Sequence, residues 1–330
     1  MRPGGKTVKR KPTFLRSAGL LAVLLAAILL PGPNEATAAE MAKIESRHVD
    51  IWSDYTRVSA DLFYPKGART GDNLPAIILC HGWGGLRSHL SRDYAPVFAR
   101  AGYVVLTFDY RGWGDSDSRL IIVGPAPRPD ENGEVTMRVR TVREIVDPRD
   151  QTEDIVSAIN FMSAEPMVDP GRIGLWGTSL GGGNVVSVSA QDGRVKSIVI
   201  QVASLHHRWI SREKVKRQAM ARARSAMDQL PPDTDRAKGL KGIPNYVKMA
   251  VSHPIDLADR LEIPVLIIDA ENEELMKTNE HGKALHTLLK NRVPVRYEVL
   301  PGTHFEIYTK SREPAMRMAI EWFDQYLKKK

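Results

Sequence analysis

The run Gly177-Thr178-Ser179-Leu180-Gly181 follows directly on the apolar stretch Ile173-Gly174-Leu175-Trp176. A G-x-S-x-G pattern placed where a buried strand turns sharply into a helix pushes the serine hydroxyl into the open at the edge of a sheet. Its two glycines remove Cβ atoms that would collide in so tight a bend. A serine hydroxyl is a poor nucleophile at neutral pH. It needs a histidine to take its proton, a carboxylate to orient that histidine, and donors for the oxyanion that develops. In an alternating α/β chain the expected order is serine, acid, histidine, with the histidine in the loop after the last strand. Both downstream places are filled. The apolar run Pro264–Asp269 leads into an acidic stretch in which Asp269, Glu271, Glu273 and Glu274 compete for the acid role. His304 stands after Leu300-Pro301-Gly302-Thr303, and no other histidine follows the last predicted strand.

These residues need a scaffold that delivers all three to one edge. Ala76–Cys80 and Tyr103–Phe108 are apolar runs without alternation, as expected of parallel strands buried on both faces. Val49-Asp50-Ile51 and Val58–Leu62 do alternate, and predict a hairpin turning at Ser53-Asp54-Tyr55. Helical spacing is read over Leu90–Ala101, Asp150–Met162, Leu180–Ala190 and Glu313–Leu327. Further strands are read over Ile173–Trp176, Val195–Val202, Val265–Asp269 and Arg296–Leu300. Strand and helix alternate throughout, so the expected architecture is a mostly parallel twisted sheet with helices on both faces. Two segments interrupt it. Residues 121–147 are rich in proline, glycine and charge and read as a long excursion over the sheet edge. Residues 205–254 are helical in pattern and stand where a cap over the site would grow. Within them, Arg208–Arg224 holds seven basic residues and one acid.

Composition excludes several classes. The 330 residues, 42% hydrophobic and 26% charged, suit one soluble α/β domain. The formal net charge is +8, but residues 1–39 hold six basic residues and one acid, leaving about +3 for the rest. That is too little for a nucleic-acid footprint. The same 39 residues combine a basic leader, the eleven-residue apolar run Leu20–Leu30 and small residues at Ala36-Thr37-Ala38. They predict a signal peptide cut near Ala38/Ala39 and an exported protein in which residues 40–330 form the domain; the run is short for a membrane span. The lone Cys80 excludes an internal disulfide and reads as a small core residue. His206-His207 lack a carboxylate or further histidine at ligand spacing, so no metal is expected, and no cofactor.

At Ser179 and His304, and at the glycine-rich His81-Gly82-Trp83-Gly84-Gly85 and Asp109-Tyr110-Arg111-Gly112-Trp113-Gly114-Asp115-Ser116, the chain resembles the α/β-hydrolase superfamily, in particular its dienelactone hydrolase and acetyl-esterase-like branch. The resemblance covers nearly all of residues 44–328. It implies the α/β-hydrolase fold with a helical cap insertion, acyl transfer without cofactor, and a small ester or acyl substrate. Members often end the acid strand in H-G-x-x-D; on that frame Asp269-Ala270 replace His-Gly, and Glu273 takes the acid position. The resemblance also implies Ser179 as nucleophile, His304 as base, and the backbone N–H groups of Trp83 and Leu180 as oxyanion donors, with Trp83 free to wall the acyl pocket. His81 is expected to brace its loop, and Asp109 and Arg111 to tie down their turn as a buried pair. Peptide cleavage of the prolyl-peptidase type, thioester hydrolysis or acyl transfer use the same residues, and a silent binding protein would keep the same fold.

Overall fold

The computed structural model describes residues 43–224 and 240–328. The predicted leader and part of the predicted cap lie outside the described residues. β1 (Ile44–Ser53) and β2 (Thr56–Pro65) form the expected hairpin, turning through Asp54 and Tyr55, both at positive φ. This is the turn geometry whose twist matches the flanking strands. β3 (Leu74–Cys80) and β4 (Val104–Phe108) are the two unbroken apolar runs, and residues Ala76–Cys80 are wholly shielded from solvent. Complete burial of such a side chain contributes about 1.5–3 kcal/mol.

Between them the predicted single helix is two: α1 (Arg87–Asp93) and α2 (Ala95–Arg100), broken at Tyr94. Pro96 is the cause. It lacks an N–H and is tolerated only in a first turn, so the helix restarts just before it. Gly102, at φ +94°, follows the end of α2.

The excursion after β4 carries an exposed antiparallel ribbon, β5 (Arg119–Ile122) with β6 (Val139–Val142), and then the short β7 (Ile145–Val146). α3 (Pro148–Ala164) is capped by Asp147, whose carboxylate accepts from the Arg149 and Asp150 N–H groups. β8 (Val168–Thr178), α4 (Leu180–Ser189) and β9 (Val195–Gln201) follow. The inserted segment contributes α5 (Arg212–Ala223), β10 (Ile243–Pro244) and α6 (Tyr246–Met249). β10 pairs in parallel with β7, so the two interruptions of the alternating pattern fasten to each other. β11 (Val265–Asn272), α7 (Gly282–Leu289), β12 (Val295–Thr303) and α8 (Arg312–Phe323) complete the chain.

The eight-stranded sheet runs β1-β2-β4-β3-β8-β9-β11-β12. β1, β2 and β4 pair antiparallel, and every pairing from β4 to β12 is parallel. One face packs on α3, α4 and α7, the other on α1, α2 and α8. The carboxyl ends of β8, β11 and β12 therefore open on one edge, where ligands of open α/β sheets bind.

Candidate active site

β8 passes into α4 through Ser179, held at φ 53° and ψ −122°. A non-glycine residue in this region stores on the order of 1–3 kcal/mol and must be over-determined by its surroundings. Here it is. The Ser179 N–H donates to the Gln201 carbonyl of β9 at 2.9 Å, and its carbonyl accepts from Ser204 N–H at 2.9 Å. A Cβ on Gly177 would sit 2.6 Å from the Gly181 carbonyl oxygen, and one on Gly181 would strike the Cys80 and His81 carbonyls at the end of β3. The first turn of α4 is thus pressed against β3 at a spacing only glycine permits. Gly82 passes over the serine itself, since a Cβ there would lie 2.9 Å from Ser179 Cβ.

The acid and the histidine are brought together by strand register. β11 and β12 run in parallel with Asn272 opposite Thr303, so the next residue on each strand, Glu273 and His304, leaves the sheet side by side. His304 Nδ1 lies 3.0 and 2.9 Å from the two carboxylate oxygens of Glu273. Both side chains are buried, at 3% and 4% exposure. A carboxylate so enclosed must be satisfied by donors. Glu273 Oε1 also accepts from the Leu275 N–H at 2.9 Å and the Met276 N–H at 3.2 Å. With Nδ1–H engaged by the carboxylate, Nε2 is the nitrogen left to accept a proton.

The rival acids have other work. The Glu274 carboxylate accepts the His304 backbone N–H at 2.7 Å, which fixes the histidine loop from below. Asp269 sits on β11 and accepts from Tyr297 Oη at 3.1 Å. Its burial, with the nearby Glu273 charge, pushes it up to about 7. Glu271 is exposed.

Ser179 and His304 line one cavity of about 430 Å³, together with Trp83, Leu275, Phe305 and Tyr308. No hydrogen bond joins Ser179 Oγ to His304 among the described residues. Such bonds are often made only once substrate is bound. Neither the Trp83 N–H nor the Leu180 N–H donates to a protein acceptor among the described residues, and both border the serine. Leu180 opens α4, where the first N–H groups have no partner within the helix. The Trp83 indole N–H instead holds the Lys241 carbonyl at 3.2 Å, tying the oxyanion-loop candidate to the inserted segment.

His81 is buried edge-on to Tyr110, with ring centroids 4.5 Å apart and Nδ1 3.0 Å from the Gly82 carbonyl oxygen. Burial lowers its pKa, so it braces the loop as a neutral ring. Asp109 and Arg111 do stiffen their turn, but not by pairing with each other. Asp109 accepts from the Arg87 N–H at 2.8 Å and its Nε at 3.2 Å, whereas Arg111 binds Asp154 on α3 through Nε at 2.8 Å and its own N–H at 2.9 Å. Strict alternation, which would put residues two apart on one face, does not apply here, because β4 ends at Phe108 and the chain turns at Arg111. Cys80 is fully buried, and burial pushes its thiol far up, which leaves no thiolate to react.

His206 stacks on His281 at 4.3 Å, and His207 Nδ1 contacts the Ser252 carbonyl at 2.7 Å. No cluster of three or more metal-ligating side chains occurs among the described residues. Apart from Trp83, the residues that sequence reasoning missed are those of the walls. Tyr308 takes the Thr178 hydroxyl at 2.9 Å beside the serine, and Trp209, Leu240 and Met276 close the other side. No spacing rule links these positions to Ser179, because they arrive from separate loops.

Comparisons with known proteins bear on the fold and the family. An uncharacterised 31.7 kDa protein of the traX-finO intergenic region of Escherichia coli is 30% identical over 287 residues, covering 77% of this chain and 91% of its own. The thiohydrolase aneE of Aspergillus aculeatus is 30% identical over 171 residues, covering 49% of this chain and 46% of its own. The solved Pyrococcus furiosus esterase Pf2001 superposes with a TM-score of 0.55 at 16% identity, over 86% of this chain and 94% of that one, which bears on the fold alone. The family model of the dienelactone hydrolases matches residues 58–327. On sheet order, site geometry and this match together, the chain belongs to the dienelactone hydrolase family of the α/β-hydrolase superfamily.

Proposed function

We propose that this protein is a serine hydrolase that cleaves carboxylic esters through an acyl-enzyme, with Ser179 as nucleophile, His304 as base and Glu273 as the orienting acid. The observation that carries this is the buried bidentate contact of Glu273 with His304 in the cavity that holds Ser179 on its strained turn. His304 Nε2 takes the Ser179 proton as Oγ attacks the carbonyl carbon, and the Trp83 and Leu180 N–H groups receive the oxyanion. The alcohol leaves with the proton from His304. Water, deprotonated by the same nitrogen, then releases the acid and restores Ser179. Each oxyanion donor is worth about 10²–10³ in rate.

A thioester substrate is the second reading. It is supported by a relative named as a thiohydrolase, and it changes only the leaving atom. Residues 1–39 support export, in which the mature chain begins near Ala39; the N-terminal mass of protein recovered from outside the cytoplasm tests this. Turnover of p-nitrophenyl acetate tests the chemistry. Ser179→Ala should lower kcat by about 10⁴-fold or more, and turnover retained by that variant would refute the assignment.

A further inference from the structure

Two cavities of different size meet at Ser179. The larger, about 430 Å³, is bordered by His304; the smaller, about 60 Å³, is bordered by Leu180, Trp209 and Met276 and not by His304. Trp83, Leu240 and Leu275 border both.

From this geometry we infer the substrate class: esters or thioesters of a short acyl group, of about two to four carbons, with a bulky and largely apolar alcohol or thiol. The inference rests on the acyl-enzyme reading above. In the tetrahedral intermediate the carbon carries four groups, and chemistry allocates three of them. One is Ser179 Oγ. The oxyanion lies at the Trp83 and Leu180 N–H groups. The leaving oxygen must lie within reach of His304, because that residue supplies its proton. The leaving group therefore extends into the cavity that His304 borders. The acyl substituent has only the remaining direction, into the small cavity behind Leu180. At about 60 Å³ against about 430 Å³, the smaller cavity suits an acetyl to butyryl group better than a long chain. The larger cavity has the size of ordinary small-molecule sites, and Leu86, Leu90, Tyr94, Phe305 and Tyr308 give it apolar walls. Trp209 and Met276 are then the residues that set acyl length.

Two substrate series read this out. With p-nitrophenol as constant leaving group, kcat/KM should fall by about tenfold or more between butyrate and octanoate. With acetate as constant acyl group, 2-naphthyl acetate should be cleaved at least as well as phenyl acetate, which differs little in leaving-group basicity. In Trp209→Ala the octanoate-to-acetate ratio should rise about fivefold or more with the naphthyl-to-phenyl ratio unmoved, and Met276→Ala should move the same ratio in the same direction. Octanoate cleaved as well as acetate, loss of the naphthyl ester with octanoate retained, or an unchanged acyl ratio in both folded variants would overturn the pocket assignment. Those results would leave the acyl-enzyme reading intact. Failure of every ester, together with failure of a fluorophosphonate to label Ser179, would overturn both.

Discussion

The two halves of the site are held by different forces. On one side the Ser179 turn is fixed by steric exclusion: a positive φ at the serine, and glycines whose missing Cβ atoms would otherwise meet backbone within van der Waals distance. On the other side Glu273 and His304 are fixed by register and hydrogen bonds at the ends of β11 and β12. Steric exclusion allows almost no variation in residue type. A hydrogen-bonded carboxylate tolerates more, and a glutamate held by two backbone donors reaches the histidine from this position.

Substitutions on the two sides should fail in different ways. Gly181→Ala forces the Cys80 and His81 carbonyls out of place and should destabilise the fold by about 4 kcal/mol or more, read as lost soluble protein or a collapsed urea midpoint. Unchanged stability in that variant would show that the turn is looser than its packing implies. Glu273→Gln keeps shape and one acceptor but removes the charge that stabilises the imidazolium. Its kcat should fall by about 10³–10⁴-fold while the urea midpoint moves little. A fall of less than about tenfold would return the acid role to a neighbour.

The third effect concerns Asp269. Folding raises this carboxyl from 3.8 to about 7, so the folded chain holds a proton that the unfolded chain has released. The associated stability is complete below 3.8 and is lost as pH rises toward about 7. Asp269→Asn keeps an acceptor for Tyr297 Oη and should remove that slope, gaining on the order of 4 kcal/mol at pH 8 and little at pH 4. Urea unfolding of both proteins across this range checks the sign.

The same contrast explains what the sequence made legible. Unbroken apolar runs such as Ala76–Cys80 read as doubly buried strands, and a glycine-flanked Ser179 after such a run reads as a sharp turn. These features follow from local sterics and were readable residue by residue. His304 was readable because topology allows one place for it. The identity of the acid was less so. Four carboxylates fall within Asp269–Glu274, and only the pairing of Asn272 with Thr303 decides which of them meets the histidine. Partners separated by long stretches of chain were not legible at all. Asp109 finding Arg87, Arg111 finding Asp154, and the indole of Trp83 finding Lys241 depend on how elements dock, which no spacing encodes. The break at Tyr94 does not show in the helical spacing, although its cause, Pro96, is local.

The most direct measurement is covalent labelling of the purified protein with a fluorophosphonate, followed by peptide mass spectrometry. A single adduct on the peptide carrying Ser179, absent from Ser179→Ala and strongly slowed in Glu273→Gln, is the result expected of an activated nucleophile. An unlabelled protein, or an adduct on another residue that persists in Ser179→Ala, would contradict the assignment of Ser179, His304 and Glu273 as the reacting unit.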